Sequence, residues 1–462
     1  MAQTARQAKT IDITQILDRQ RLGGFHIVLL VFSFLVTMVD GYDIGAAAFA
    51  GPALVKEWSL KGPELGILFS ATLFSGFFGP PLLGYLSDRF GRKRTIVGGC
   101  IFFGLLTWAS ILSASVTQLT VLRFIAGIGI AGVLPITVAL NNEFAPRRLR
   151  ATMVTIIFLG TTFGGSLPGF VAAAFLGNYG WHILFWIGGL VPVGLAIVLV
   201  FVLPESLKYL SLRPARRDEL ATLLRRLEPG LVIQPDAQFV ISGEENRTRF
   251  SFTKIFAGRL AWLTPLFFVT NAANLMVFYF INQWLPTVLS ARGIPVSHAV
   301  LAATWFQLAG TLGGLVIMRP LDKWGFFPVP ILFACAIPIV AAIGQPVAEL
   351  PLMLLIAAAG FCLLGLQFGN IAIETNIYPT YIRSWGVGAC FAAGRVGSAV
   401  GPVAGGFLMA RHLPNADLYF IATIPIAVGL VAAVAIVPLY RRHMAGQDAG
   451  LAPAGPAVAL GQ

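Results

Sequence analysis

Charge is scarce in this sequence. Only 11% of its 462 residues are Asp, Glu, Lys or Arg, while 57% are apolar; ordinary soluble domains carry roughly 25% charged residues. By length alone the chain would divide into about three soluble domains, and so little charge excludes that reading. Polar stretches are rare as well. Apolar runs of about 20 residues follow one another, each long enough to cross a hydrocarbon layer roughly 30 Å thick. Cysteine is sparse: Cys100, Cys335, Cys362 and Cys390 lie in or beside apolar runs, with no CxxC pair and no metal-ligand spacing. They read as small apolar fillers. No nucleophile–base motif and no phosphate-cradling loop is present, so neither enzyme activity nor a cofactor is expected. No cleavable signal pattern precedes the first apolar run, which therefore serves as the insertion signal.

What is present is a series of twelve spans, at 24–49, 64–86, 95–114, 118–142, 151–175, 182–203, 261–285, 297–319, 328–346, 351–374, 384–409 and 416–439. All should be helices, because a backbone in lipid must satisfy its own hydrogen bonds. The expected fold is an all-α membrane protein of two six-helix bundles. The N-terminal segment 1–23 precedes the first bundle (24–203), a polar loop (204–260) leads to the second (261–439), and the Ala/Gly/Pro-rich tail from 440 reads as disordered.

The net charge of +12 would suggest a nucleic-acid partner if the bases were clustered, but they sit in short loops. With the N-terminus cytoplasmic, inner loops and tails hold 26 of the 32 Lys/Arg and outer loops hold Lys56, Lys61, Arg292 and Arg411; Arg123 and Arg395 lie inside spans. This bias places both ends in the cytoplasm; the expected location is the plasma membrane, with the lipid bilayer as partner and no nucleic acid.

The halves repeat. Asp88-Arg-Phe-Gly91 aligns with Asp322-Lys-Trp-Gly325, Glu143-Phe-Ala-Pro146-x-x-x-Arg150 with Asn376-Ile-Tyr-Pro379-x-x-x-Arg383, and Pro52 with Pro286. Two parallel repeats imply a solute site between them near the midplane, reached alternately from either side.

The stretch Gly84-Tyr-Leu-Ser-Asp88-Arg89-Phe-Gly91-Arg92-Lys93 resembles the signature loop after span two in the major facilitator superfamily. Within it, Asp40-Gly41-Tyr42-Asp43, Pro204-Glu205-Ser206 through Leu210, and the run from Tyr378 to Gly397 resemble the aromatic acid:proton symporter family. The resemblance covers about residues 20–440 and implies uptake of benzoate-like or hydroxybenzoate-like anions with protons. It also implies that Asp88, Arg89, Arg92, Glu143, Arg150, Asp322 and Arg383, with Gly84, Gly91 and Gly325, form a cytoplasmic gate, and that Arg123 belongs to a motif tied to proton coupling.

Charges within spans cost at least about 2.5 kcal/mol each at the centre and mark function. Asp40 and Asp43 share one face of span one; two buried acids this close suit proton coupling, with a neighbouring arginine as the static alternative. Arg123 lies at a depth similar to Asp43 and is expected to pair with a carboxylate, switching or fixed. Arg395 sits about 15 Å deep at 1.5 Å per residue, where its guanidinium can hold a substrate carboxylate or, alternatively, pair with Glu374. Gln367, Asn370 and Glu374 in span ten, Asn271 and Asn274 in span seven, Trp305 and Gln307 in span eight, and Tyr42 complete the candidate binding residues. Glu374 stands near the inner mouth and fits pocket or gate. Glycines at four-residue spacing in spans five and eleven should let helices approach closely.

These readings describe a proton-coupled importer of an aromatic carboxylate, working as a monomer without an obligatory protein partner. The alternatives are a carrier of a non-aromatic acid, a sugar-like compound or an exported drug, and a transport-inactive membrane sensor.

Overall fold

The structure is a computed structural model that describes residues 10–20, 22–228, 231, 238–240, 252–378, 382–411 and 413–451. Each expected span falls on a helix. The first half contains α1 (Gly24–Trp58), α2 (Gly62–Phe77 and Gly79–Phe90), α3 (Arg92–Leu112), α4 (Val116–Phe144), α5 (Arg150–Tyr179) and α6 (His182–Val202). The second contains α7 (Leu260–Ala291), α8 (Val296–Trp324), α9 (Pro328–Ile343), α10 (Glu349–Ile377), α11 (Arg383–Ala410) and α12 (Asn415–Leu451). Ten of these are long and apolar enough to cross a membrane. The eleventh is α2, bent by 40° where Gly79-Pro80-Pro81 interrupts the helix, because proline supplies no backbone N–H. The twelfth, α9, is a shorter apolar helix.

The same pairings recur in both halves: α1 packs on α5 and α7 on α11, α2 on α4 and α8 on α10, α3 on α6 and α9 on α12. Glycine makes the close ones possible. A Cβ at Gly41 or Gly164 would run into the backbone of Thr161 or Met38, and one at Gly397 into the backbone of Ala272.

The halves meet through α2 with α11, α5 with α8, and α1 with α7. Their contacts gather toward one end, the one carrying the turns 58–62 and 291–296. There Gly62 and Gly66 lie against Gly406 and Pro402, Gly51 against Thr287, and Gly169 against Thr304. Phe69 meets Trp284 edge-on at 5.5 Å, and Ser70 Oγ donates to the Ala399 carbonyl at 2.7 Å. At the opposite end Asp88, Arg89, Asp322 and Arg383 are exposed.

The polar segments carry structure of their own. Strand β1 (Thr10–Asp12) pairs in parallel with β2 (Gln238–Val240), Thr10 opposite Gln238. The short helix Ile13–Arg19 buries Ile13, Ile16 and Leu17 in the apolar cluster that takes Leu207 and Leu210 from Leu207–Ser211 and Leu220 and Leu224 from Arg217–Leu227. The tail, read as disordered from 440, is helical through Leu451, and residues 452–462 lie outside the described residues, as does Pro379 of the repeat motif.

Candidate functional site

Asp43 and Arg123 form a two-pronged ion pair with no solvent exposure. Arg123 Nη2 lies 2.6 Å from Asp43 Oδ2, and Nη1 donates to Oδ1 at 2.9 Å. Nη2 also donates to the Asp43 carbonyl at 2.9 Å. Thr107 on α3 adds a third donor, its hydroxyl bonding Asp43 Oδ1 at 2.7 Å, and the guanidinium stands over the Phe185 ring at 5.4 Å. Burial of two charges is tolerated here because the geometry is bidentate and three hydrogen bonds reach the carboxylate. Arg123 Nε alone has no partner. Sequence reasoning missed Thr107, since one threonine in an apolar span gives no periodic signal.

Asp40 behaves differently. It is 3% exposed and one of its oxygens is buried without a hydrogen-bond partner; it feels the charges of Asp43 on its own helix and of Arg395 from the other half, but makes no ion pair with Arg395 among the described residues. Arg395 in turn faces Asp40 and Tyr279 of α7. Its guanidinium lies against Gly76, at the bend of α2, in space a Cβ there would fill. A carboxylate, a guanidinium and a phenol from α1, α11 and α7 thus converge where the two halves touch. Tyr279 was not among the sequence candidates; it lies one residue after Phe278, on a helix whose rotation the sequence does not disclose.

The second half supplies amides. Gln307 Nε2 donates to Asn282 Oδ1 at 3.0 Å, and Asn274 Nδ2 to the Leu363 carbonyl at 3.1 Å. Asn370 is fully buried with neither amide atom bonded, and Asn274 Oδ1 and Gln307 Oε1 are also unpartnered. Unsatisfied buried polar atoms are rare and costly, and they mark where a solute or water completes the bonding. Gln367 is half-buried on α10. Glu374 pairs with Asn271 (Nδ2 to Oε1, 2.5 Å), not with Arg395. Cys390, read as an apolar filler, lies beside the same carboxyl.

Two candidates turn elsewhere. Trp305 is 56% exposed on the outer surface of α8, because Thr304 and Gln307 take the side facing α5. Tyr42 packs into its own half, its hydroxyl donating to the Leu184 carbonyl at 3.3 Å and its ring lying against Gly188 of α6. Two apolar surface cavities, about 630 Å³ between α2, α4 and α11 and about 450 Å³ between α7, α11 and α12, are lined by none of these candidates; their polar lining residues are Ser70, Thr120 and Arg411.

At the exposed end, Arg92 Nη1 pairs with Glu143 Oε1 at 2.6 Å, and Ser206 Oγ donates to Glu143 Oε2 at 2.6 Å. Glu205 accepts from the backbone N–H groups of Lys93 (3.1 Å) and Ser206 (2.9 Å). Its carboxylate occupies the space beside Gly91, whose φ of 102° favours glycine. Arg213 donates to the Arg89 carbonyl at 2.6 Å. Asp88 is exposed and has no ion pair among the described residues; Gly84 has open space around it. Asp322 and Gly325 line a polar cavity of about 750 Å³ with Tyr440 and Arg441. The repeat extends to atoms: Arg150 Nε donates to the Ala145 carbonyl at 3.2 Å, and Arg383 Nε to the Tyr378 carbonyl at 3.3 Å.

A family model described as Major Facilitator Superfamily matches residues 33–372. The chain belongs to the Major Facilitator Superfamily. This major facilitator is a transporter and not an enzyme, and it resembles carriers of aromatic acids along nearly its whole length. It is 32% identical to the 4-hydroxybenzoate transporter PcaK of Pseudomonas putida over 87% of this chain and 90% of that protein. It is 30% identical to the benzoate transport protein of Acinetobacter baylyi, covering 92% of each. The gallate transporter of Pseudomonas putida is 29% identical over 96% of this chain and 98% of that one. Among solved structures, a D-xylose-proton symporter superposes with a TM-score of 0.69 at 17% identity, over 89% of this chain and 97% of that one. At that identity the likeness shows the fold of this major facilitator and nothing of its solute.

Proposed function

We propose that this major facilitator imports an aromatic carboxylate with protons. The observation that carries the reading is Arg395, a guanidinium lying against Gly76 at the contact between the halves, with no carboxylate in ion-pair contact among the described residues. Relatives spanning nearly the whole chain are named for 4-hydroxybenzoate, benzoate and gallate, each a ring bearing a carboxylate. A guanidinium holds such a group by two parallel hydrogen bonds. The unpartnered amides of Asn274, Asn370 and Gln307 supply bonding for ring hydroxyls, and Tyr279 adds an aromatic wall.

The cycle follows from competition for Arg395. An ionised Asp40 attracts the guanidinium, although the two form no ion pair in this state; a proton on Asp40 removes that attraction and leaves Arg395 to the substrate anion. The Asp43–Arg123 pair keeps α1 fixed on α3 and α4 while this exchange proceeds, and its carboxylate is the alternative acceptor of that same proton. With the basic loops on the cytoplasmic side of the plasma membrane, the closed end of the bundle is the outer one and the molecule is inward-facing. The Arg92–Glu143–Ser206 and Glu205–Gly91 contacts then form the cytoplasmic gate of the first half, and Asp322, Gly325 and Arg383 that of the second. The working unit is the monomer.

The test is uptake of labelled 4-hydroxybenzoate into proteoliposomes with and without an inward proton gradient, for wild type and Asp43→Asn. Gradient-driven accumulation that the variant loses supports symport. Failure of folded wild type to take up this acid, benzoate or gallate removes the aromatic substrate and leaves the fold standing.

A further inference from the structure

The seam between α7 and α10 holds a carboxyl that the exchange at Arg395 does not use. Glu374 is fully buried, and among the described residues no lysine or arginine forms an ion pair with it. Its Oε1 accepts from Asn271 Nδ2 at 2.5 Å, and its Oε2 has no partner. One turn along the same face, Asn370 has both amide atoms buried and unbonded. The titratable groups facing Glu374 are Cys390 of α11 and Tyr378 at the end of its own helix; α7 contributes Asn271. Tyr378 Oη in turn lies 3.0 Å from Thr264 Oγ1 and 3.5 Å from Cys390 Sγ, so polar groups continue from Glu374 to the end where the halves stand apart. In the other direction Asn271 backs onto Gly394, the neighbour of Arg395.

A carboxylate without a counter-cation in this setting is strongly disfavoured over its protonated form. A permanently neutral spacer would need only an amide. We infer that Glu374 is a second proton-carrying group, neutral while the α7–α10 seam is packed as here and ionised when water enters from the Tyr378–Thr264 end. In that step the O–H bond of the carboxyl breaks, the proton passes to water, and the carboxylate left behind keeps its bond from Asn271. Glu374 regains its proton from the outer side, by way of the Asn271–Gly394 contact beside Arg395, when the halves open there; with the proton taken up at Asp40 or Asp43, the cycle then moves one positive charge inward for each monoanionic substrate. The inference rests on the proposed symport reading.

Two measurements test it. Proton and labelled 4-hydroxybenzoate fluxes in proteoliposomes should stand at about two to one in wild type and about one to one in Glu374→Gln, with the variant's uptake no longer accelerated by an inside-negative potential. A wild-type ratio of one, or the same ratio in both proteins, overturns it. Infrared difference spectra of the purified protein provide a readout independent of transport. The C=O stretch of a protonated carboxyl should disappear on alkalinisation, be absent from Glu374→Gln, and shift in Asn271→Ala, which assigns the band even if Glu374→Gln does not fold. Absence of any such titrating band overturns the inference whatever the substrate proves to be. Wild type that shows the band but no proton-driven uptake of an aromatic acid instead sinks the symport reading alone.

Discussion

Asp43 and Arg123, eighty residues apart in sequence, are joined by two side-chain hydrogen bonds of 2.6 and 2.9 Å inside the first half, with no solvent on either side chain. Such a pair is costly to half-remove. Asp43→Ala or Arg123→Ala should lower stability by about 3–5 kcal/mol, because each leaves its partner charged and buried. Asp43→Ala combined with Arg123→Ala should recover part of that loss, with a coupling of about 0.5–3 kcal/mol in a double-mutant cycle. Thermal unfolding in detergent reads both. Additive losses would mean the pair is not energetically coupled.

Asp40 is expected to separate exchange from accumulation. In Asp40→Asn nothing ionised competes for Arg395, so substrate counterflow should continue at near wild-type rate while gradient-driven accumulation falls at least about tenfold, equivalent to about 1.4 kcal/mol. Counterflow and uphill uptake measured on the same vesicles check it; equal loss of both would assign Asp40 a structural role.

Arg395→Lys retains charge but loses the planar fork. Its KM for a benzoate-type acid should rise about tenfold to a hundredfold, the worth of a bidentate contact. The expected change in kcat is small by comparison, and a kcat effect with unchanged KM would move Arg395 out of the binding site.

Gly76→Ala tests the same guanidinium from the opposite side. The added methyl occupies the position of the Arg395 side-chain end, a flexible group that can move, so KM should rise several-fold with little change in melting temperature. Gly397→Val is the contrast: its side chain meets the backbone of Ala272, which cannot yield, and overpacking of this kind costs typically about 1–3 kcal/mol. Paired KM and melting measurements distinguish the two.

What the sequence discloses here is set by cost and by rotation. Twelve spans were legible because lipid demands long apolar helices, and Asp40, Asp43, Arg123 and Arg395 because a charge in that setting needs a reason. The internal repeat could be followed to the paired Arg150 and Arg383 carbonyl contacts. Which way each helix turns was not legible. Trp305 and Gln307 sit two residues apart, and only packing against Gly165 and Gly169 puts one inside and the other on the outer surface. For the same reason Tyr279 and Thr107 escaped notice, and Glu374 was assigned a possible arginine partner when its neighbour is an amide.

The parallel pairing of Thr10–Asp12 with Gln238–Val240 has a consequence for the order of biosynthesis. The strand at the start of the chain has no partner until the six helices of the first half have been made and the ribosome has passed residue 240. This contact of high sequence separation forms late. It therefore reports completion of the first bundle: a nascent chain arrested before Gln238 should leave Thr10–Asp12 open to protease, and one arrested well beyond Val240 should protect it.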